Sequence, residues 1–119
     1  MMGVVYYGNY LRYFESARSA WFREAAGKSY REFEVLGIGF PVTEAHCKYQ
    51  RSCTYEDLLD IDVRVIDLKG ASLRFGYRIS LADQSMAHGY TVHACIGESG
   101  RPVRIPSELR QLIQVEAAP

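Results

Sequence analysis

Residues 9–27 read NYLRYFESARSAWFREAAG, and the spacing of apolar side chains in this stretch decides how the remainder must be arranged. Tyr10, Phe14, Ala17, Trp21 and Ala25 recur at three- and four-residue intervals. At 3.6 residues per turn they gather on one side of a helix spanning residues 10–26. Arg12, Ser16, Ser19 and Arg23 fall on the other side, so the helix is solvated on one face and lies against something on the other. Asn9 is placed to cap the orphan amides at its start, and Gly27 to take the left-handed conformation that closes its end.

Downstream, the period changes from 3.6 to two. Over residues 42–51, Thr43, Ala45, Cys47 and Tyr49 alternate with Glu44, His46, Lys48 and Gln50, the pattern of a half-buried strand. Leu59, Ile61, Val63 and Val65 alternate with Asp60, Asp62 and Arg64, and Leu73, Phe75, Tyr77, Ile79 and Leu81 with Ser72, Arg74, Arg78 and Ser80. A last row, Met86, Tyr90, Val92, Ala94 and Ile96, is expected to face the core, away from Ala87, Gly89, Thr91, His93 and Cys95. Short linkers, residues 67–71 with Gly70 and 82–85 with Asp83, predict antiparallel hairpins. Pro106 and Ser107 open a short terminal helix over residues 105–114, with Leu109, Leu112 and Ile113 on one side. A long helix followed by four antiparallel strands is an α+β layer in a single domain, residues 1–119, whose open sheet edges invite a second copy.

Composition narrows the function. The chain has 14 basic and 14 acidic residues out of 119, with the cations dispersed, so no patch attracts a polyanion and no nucleic-acid partner is expected. No apolar run is long enough for a membrane span. Cys47, Cys53 and Cys95 form no C-x-x-C pair and follow no secretory leader, which fits free thiols and a cytoplasmic location. His46 and Cys47, adjacent on a strand, point to opposite faces and cannot share a metal ion; His93 and Cys95 share a face but lack a second pair.

The segment Gly3-Val4-Val5-Tyr6-Tyr7-Gly8-Asn9-Tyr10-Leu11, followed by Phe14-Glu15-Ser16-Ala17-Arg18, resembles the G-V-V-Y-x-x-N-Y-L…F-E-x-A-R signature of the 4-hydroxybenzoyl-CoA thioesterase family. Glu44 to Tyr49, Arg51, Tyr55-Glu56-Asp57, Ser72-Leu73-Arg74-Phe75, Thr91-Val92-His93 and Gly100-Arg101-Pro102-Val103 are similar to that family in the same order. The resemblance implies a hotdog fold, a curved antiparallel sheet wrapped around a long central helix. It also implies homo-oligomers, a dimer or a dimer of dimers, with sites between subunits. The substrate would be a thioester of coenzyme A or of an acyl-carrier protein, with no further cofactor.

Thioester hydrolysis builds negative charge on the former carbonyl oxygen, and donors already aimed at that oxygen stabilise the transition state. A helix N-terminus carries such donors. The resemblance assigns the oxyanion donor to the backbone amide of Tyr7, with Val5, Tyr6, Gly8 and Asn9 as the substrate contacts around it. The family's catalytic Asp would fall one position before Met1, in a strand expected upstream, so the coding start is expected to lie further back. Without that Asp the chain would be an inactive acyl-CoA or acyl-carrier-protein binding module. Glu15 is the substitute acid within the chain, although an i, i+3 pair with Arg18 is its simpler role. Lys69, Arg74 and Arg104 are candidates for the coenzyme A phosphates. A hotdog hydratase needs a histidine and an acid near the helix start, whereas His46, His88 and His93 all fall on strands. Tyr10, Phe14 and Trp21 lie on the packed stripe and read as core rather than acyl pocket.

Overall fold

The computed structural model describes residues 8–51 and 58–119, and Gly8 and Asn9 by their backbone alone. Helix α1 (Gly8–Trp21) continues into a π-helical turn (Phe22–Ala26) and is followed by α2 (Tyr30–Val35). Strands β1 (Val42–Tyr49), β2 (Asp60–Leu68), β3 (Ser72–Leu81) and β4 (Gln84–Ala94) precede α3 (Ser107–Leu112). The strands form one antiparallel sheet of order β1-β4-β3-β2, and the chain is α+β as expected.

Helix α1 lies across the inner face of the sheet, close to β2 and with aromatic rings set on β3. Phe14 stacks on Tyr77, with centroids 4.2 Å apart at 10°. Trp21 meets Phe75 edge-on at 5.1 Å, so the helix runs opposite to β3. The expected single helix is divided: the last five residues are π-helical, and Gly27, at φ 67°, closes them by donating to the Arg23 carbonyl. Helix α2 was not foreseen from periodicity. Its local signal is Ser29, whose hydroxyl accepts from the Glu32 amide at 3.3 Å as an N-cap.

Both hairpins form where the turn residues fall. The β3–β4 turn consists of Ala82 and Asp83, both at positive φ (49° and 68°), the requirement of a type I′ connection. Just beyond it, a bulge sets Ser80 against Ser85 but Ile79 against Ala87, leaving Met86 as the extra residue. Met86 and Ala87 therefore both enter the core. This bulge overturns the expected parity of β4. Counting in twos from Met86 placed Tyr90, Val92, Ala94 and Ile96 inward, whereas the core receives Ala87, Thr91, His93 and Cys95. Tyr90 instead lies on the outer face, stacked on His46 at 5.3 Å and donating to Glu44 Oε1 at 3.1 Å.

Strand β1 is less buried than expected: among its residues only Cys47 is half-buried, because β1 is an edge strand that α1 does not cover. In α3, Leu109 is buried but Leu112 stands 54% exposed, so the expected apolar side is narrower. No helix among the described residues is long and apolar enough to cross a membrane.

Gly89 of β4 lies against β1 so that an added Cβ would land on the His46 carbonyl oxygen and 3.0 Å from Cys47 Cα. Both obstacles are backbone, so no rotamer change relieves them. Gly89→Ala is expected to destabilise the fold by about 2 kcal/mol or more. An unchanged midpoint in urea unfolding would contradict this spacing.

Candidate active site

The described part of α1 opens with Gly8 and Asn9 already helical. Asn9 thus lies inside α1 rather than ahead of it as a cap. Val5, Tyr6 and Tyr7 lie outside the described residues, as do Tyr55, Glu56 and Asp57. Around this helix start, Tyr10 packs against Tyr13 (6.0 Å, edge-on) and against Tyr49 at the end of β1 (5.2 Å). The Gln50 and Arg51 amides both bond the Met86 carbonyl, at 2.8 and 3.2 Å. One end of the molecule therefore joins the start of α1, the end of β1 and the start of β4.

Glu15 is exposed on α1, eight residues and about 12 Å of helix rise beyond position 7. It does not pair with Arg18, whose guanidinium is turned inward. Burial raises the Cys47 and Cys95 thiols above their ordinary range, so neither is a poised thiolate nucleophile at neutral pH.

The cationic candidates divide. Lys69 lies on the β2–β3 turn, and a guanidinium nitrogen of Arg104 approaches Gly70 there, 3.8 Å from the place of a Cβ. Arg110, which the sequence reading did not single out, donates to the Lys69 and Gly70 carbonyls at 2.8 and 3.0 Å. Arg74 lies elsewhere, its guanidinium 4.5 Å over the Tyr90 ring on the outer face. The β2–β3 turn is at the Leu73 end of β3 and the start of α1 at the Ile79 end. Six strand residues, roughly 20 Å, separate them.

Under α1 lies a group of polar side chains that apolar periodicity did not reveal. Tyr10, Phe14, Arg18 and Phe22 are buried at strict four-residue intervals, so Arg18 occupies a core position. Its Nε donates to Tyr30 Oη at 2.6 Å, and an Nη to Tyr77 Oη at 3.0 Å. Tyr77 Oη is 2.6 Å from Thr91 Oγ1, Thr91 Oγ1 is 2.8 Å from His93 Nε2, and His93 Nδ1 is 3.0 Å from the Phe40 carbonyl. The carbonyl can only accept, so Nδ1 carries the proton and Nε2 is bare. Thr91 must then donate to Nε2, and Tyr77 to Thr91, while Tyr77 accepts from Arg18. Each hydroxyl gives one hydrogen bond and takes one, and the direction of the whole chain is fixed.

The model of the thioesterase-like superfamily matches residues 1–113. A putative esterase of Aquifex aeolicus is 29% identical over 94% of this chain and 86% of its own. An acyl-CoA thioesterase, YbgC, of Haemophilus influenzae is 28% identical over 91% of this chain and 80% of its own. The crystal structure of a hypothetical protein from Thermus thermophilus superposes with a TM-score of 0.88 at 29% identity, covering 95% of this chain and 86% of that one.

The polar chain has a consequence for acid stability. Burial pushes the His93 imidazole down from 6.5 to about 4; the bond to Phe40 opposes this and the Arg18 charge adds to it. Between these values the unfolded chain binds a proton that the folded one excludes. Stability is therefore fully present above pH 6.5 and falls by roughly 3 kcal/mol as pH drops to 4. His93→Gln, which cannot titrate, should flatten that slope in unfolding measured from pH 7 to 4. An equally steep loss in the variant would remove His93 as its source.

Proposed function

The chain belongs to the thioesterase-like superfamily, and from that membership we propose that it hydrolyses an acyl-CoA thioester to the free acid and coenzyme A. The observation that supports the reading is the match of the superfamily model across residues 1–113, which spans the segment leading into α1 to which the resemblance assigns the oxyanion amide. A carbonyl oxygen lodged there would gain charge where backbone donors and the positive helix end already point. The Tyr7 amide is the proposed oxyanion donor, with Val5, Tyr6, Gly8 and Asn9 around the acyl group; glycine at position 8 lets substrate approach the backbone.

Lys69 and Arg104, with Arg110 bracing their turn, are the proposed partners of the coenzyme A phosphates. Their separation from the α1 start suits a long ligand, or a site to which a second copy contributes. In this reading the chain forms the hotdog arrangement and works as a homo-oligomer, with α1 as the enclosed helix. The general base that the resemblance implies would stand directly before Met1, where a carboxylate could activate water. The name of the Haemophilus relative supports acyl-CoA as the substrate class.

Thiol release from a panel of acyl-CoAs, using this chain and a form carrying Asp immediately before Met1, tests the proposal. The Asp-bearing form is expected to turn over about 10²- to 10⁴-fold faster, the range of a positioned general base. Release by neither form would overturn the reading.

A separate expectation concerns residue 7. Tyr7→Phe keeps the amide and should keep kcat within about twofold, since an interaction is lost from the transition state only if the invoked group is removed. A large fall in kcat with KM unchanged would transfer the role to the phenol.

A further inference from the structure

We propose that Arg18 is a positioning residue for the oxyanion amides. Through Tyr77 it fixes where along the sheet, and at what rotation, α1 is seated. The claim deepens the thioesterase reading and, as far as turnover is concerned, rests on it.

Three observations carry the inference. First, Arg18 is 8% exposed in a row otherwise made of Tyr10, Phe14 and Phe22, and its partners are two tyrosine oxygens rather than a carboxylate. A methionine there would complete the apolar row without desolvating a charge, so packing alone does not account for an arginine. Second, Tyr77 grips α1 at two points one turn apart. Its ring stacks on Phe14 at 4.2 Å, and its hydroxyl accepts from Arg18 at 3.0 Å. Stacked rings tolerate sliding, because dispersion is weakly directional. A hydrogen bond loses most of its strength within a few tenths of an ångström or a few tens of degrees. Third, Tyr77 cannot turn to follow a displaced helix. Its own proton is committed to Thr91, Thr91 is committed to His93, and His93 is anchored on the Phe40 carbonyl.

The planar guanidinium also ties α1 to Tyr30 of α2, so its two bonds fix an angle as well as a distance. Arg18 lies ten residues from Gly8, about 15 Å along a stiff helix. A slip at Arg18 therefore appears undiminished at the Gly8 end of α1, next to the proposed oxyanion amide. A misplacement of about 1 Å at a reacting centre costs on the order of 100-fold in rate.

The test separates seating from stability. Tyr77→Phe preserves the Phe14 stack and removes the hydroxyl, so both Tm and kcat should fall. Adding Arg18→Met removes the stranded charge as well. Replacing both partners by apolar groups of similar shape restores much of the lost stability. In that pair Tm should recover to within a few degrees, while kcat of the Asp-bearing form stays about 10- to 100-fold down and KM moves less than about threefold. Recovery of kcat together with Tm would overturn the proposal. Arg18→Lys gives a second measurement in a protein expected to fold, since it keeps the charge but cannot hold both tyrosines in one plane. It should lower kcat about tenfold at nearly unchanged Tm, and wild-type kcat would again overturn the proposal. If the parent shows no acyl-CoA turnover, the functional reading fails on its own. The seating claim is then decided by crystal structures of the pair and the parent: a shift of α1 along β3 of about 1 Å supports it, and an identical seat sinks it.

Discussion

A guanidinium inside an aromatic core is stable only if its donors find oxygens there, and this requirement organises the described structure. Arg18 comes from α1, Tyr77 from β3, Thr91 and His93 from β4, and the last acceptor, the Phe40 carbonyl, from the segment before β1. The surrounding rings, Phe14, Phe22, Phe75 and Phe40, belong to the buried apolar core that holds the layers together without specifying their registry. The polar chain specifies it. An unpaired member would cost about 1–3 kcal/mol, so the elements are constrained to meet in one relative arrangement. Burial also raises the Tyr77 phenol above its ordinary range, against the pull of Arg18, which keeps the proton the chain requires.

In the proposed thioesterase reading, the chemistry is divided between the two ends of the sheet. Near Ile79 and Ala87, the end of β1 and the Gly8 end of α1 meet through a cluster of tyrosines. At the far end, the β2–β3 turn is braced by Arg110 through two carbonyls and flanked by Lys69 and Arg104. An acyl-CoA has a reacting thioester at one end and phosphates at the other, and the spacing of these features follows from strand length. Neither end needs a carboxylate from α1, which leaves Glu15 as a solvated residue of its outer face.

Much of the fold was legible in the sequence because the two periods are strong. The stripe containing Tyr10, Phe14 and Trp21 announced α1, and alternation through Leu73, Phe75, Tyr77 and Ile79 gave the central strand its correct face. The turns at Gly70 and Asp83 were readable from turn chemistry. The polar chain was not, because hydropathy sorts Arg18, Thr91 and His93 with the surface. The clue was their placement: an arginine four residues from each of Phe14 and Phe22, and a threonine and a histidine two apart on one strand. Helix α2 was also written locally, in the Ser29-to-Glu32 spacing, but it is too short for a period to emerge. The proposed site is written only as a motif, since the role proposed for Tyr7 would rest on a backbone amide and no side-chain pattern records it.

The bulge at Met86 acts as a phase shift in a two-state code. Upstream of it the strand writes its inward letters in one frame, and downstream in the other, so the residue is a spacer whose count matters more than its chemistry. Deleting one residue between Met86 and Thr91 would straighten the bulge: Met86 would pair with Ile79 while Thr91 stayed opposite Phe75 and His93 opposite Leu73, so the polar residues would keep their inward face. Exchanging Met86 for another side chain of similar bulk would leave the frame intact. This stretch of the gene therefore carries slack in one direction: the loss of a residue is absorbed by straightening the strand, whereas a gain would demand a second bulge.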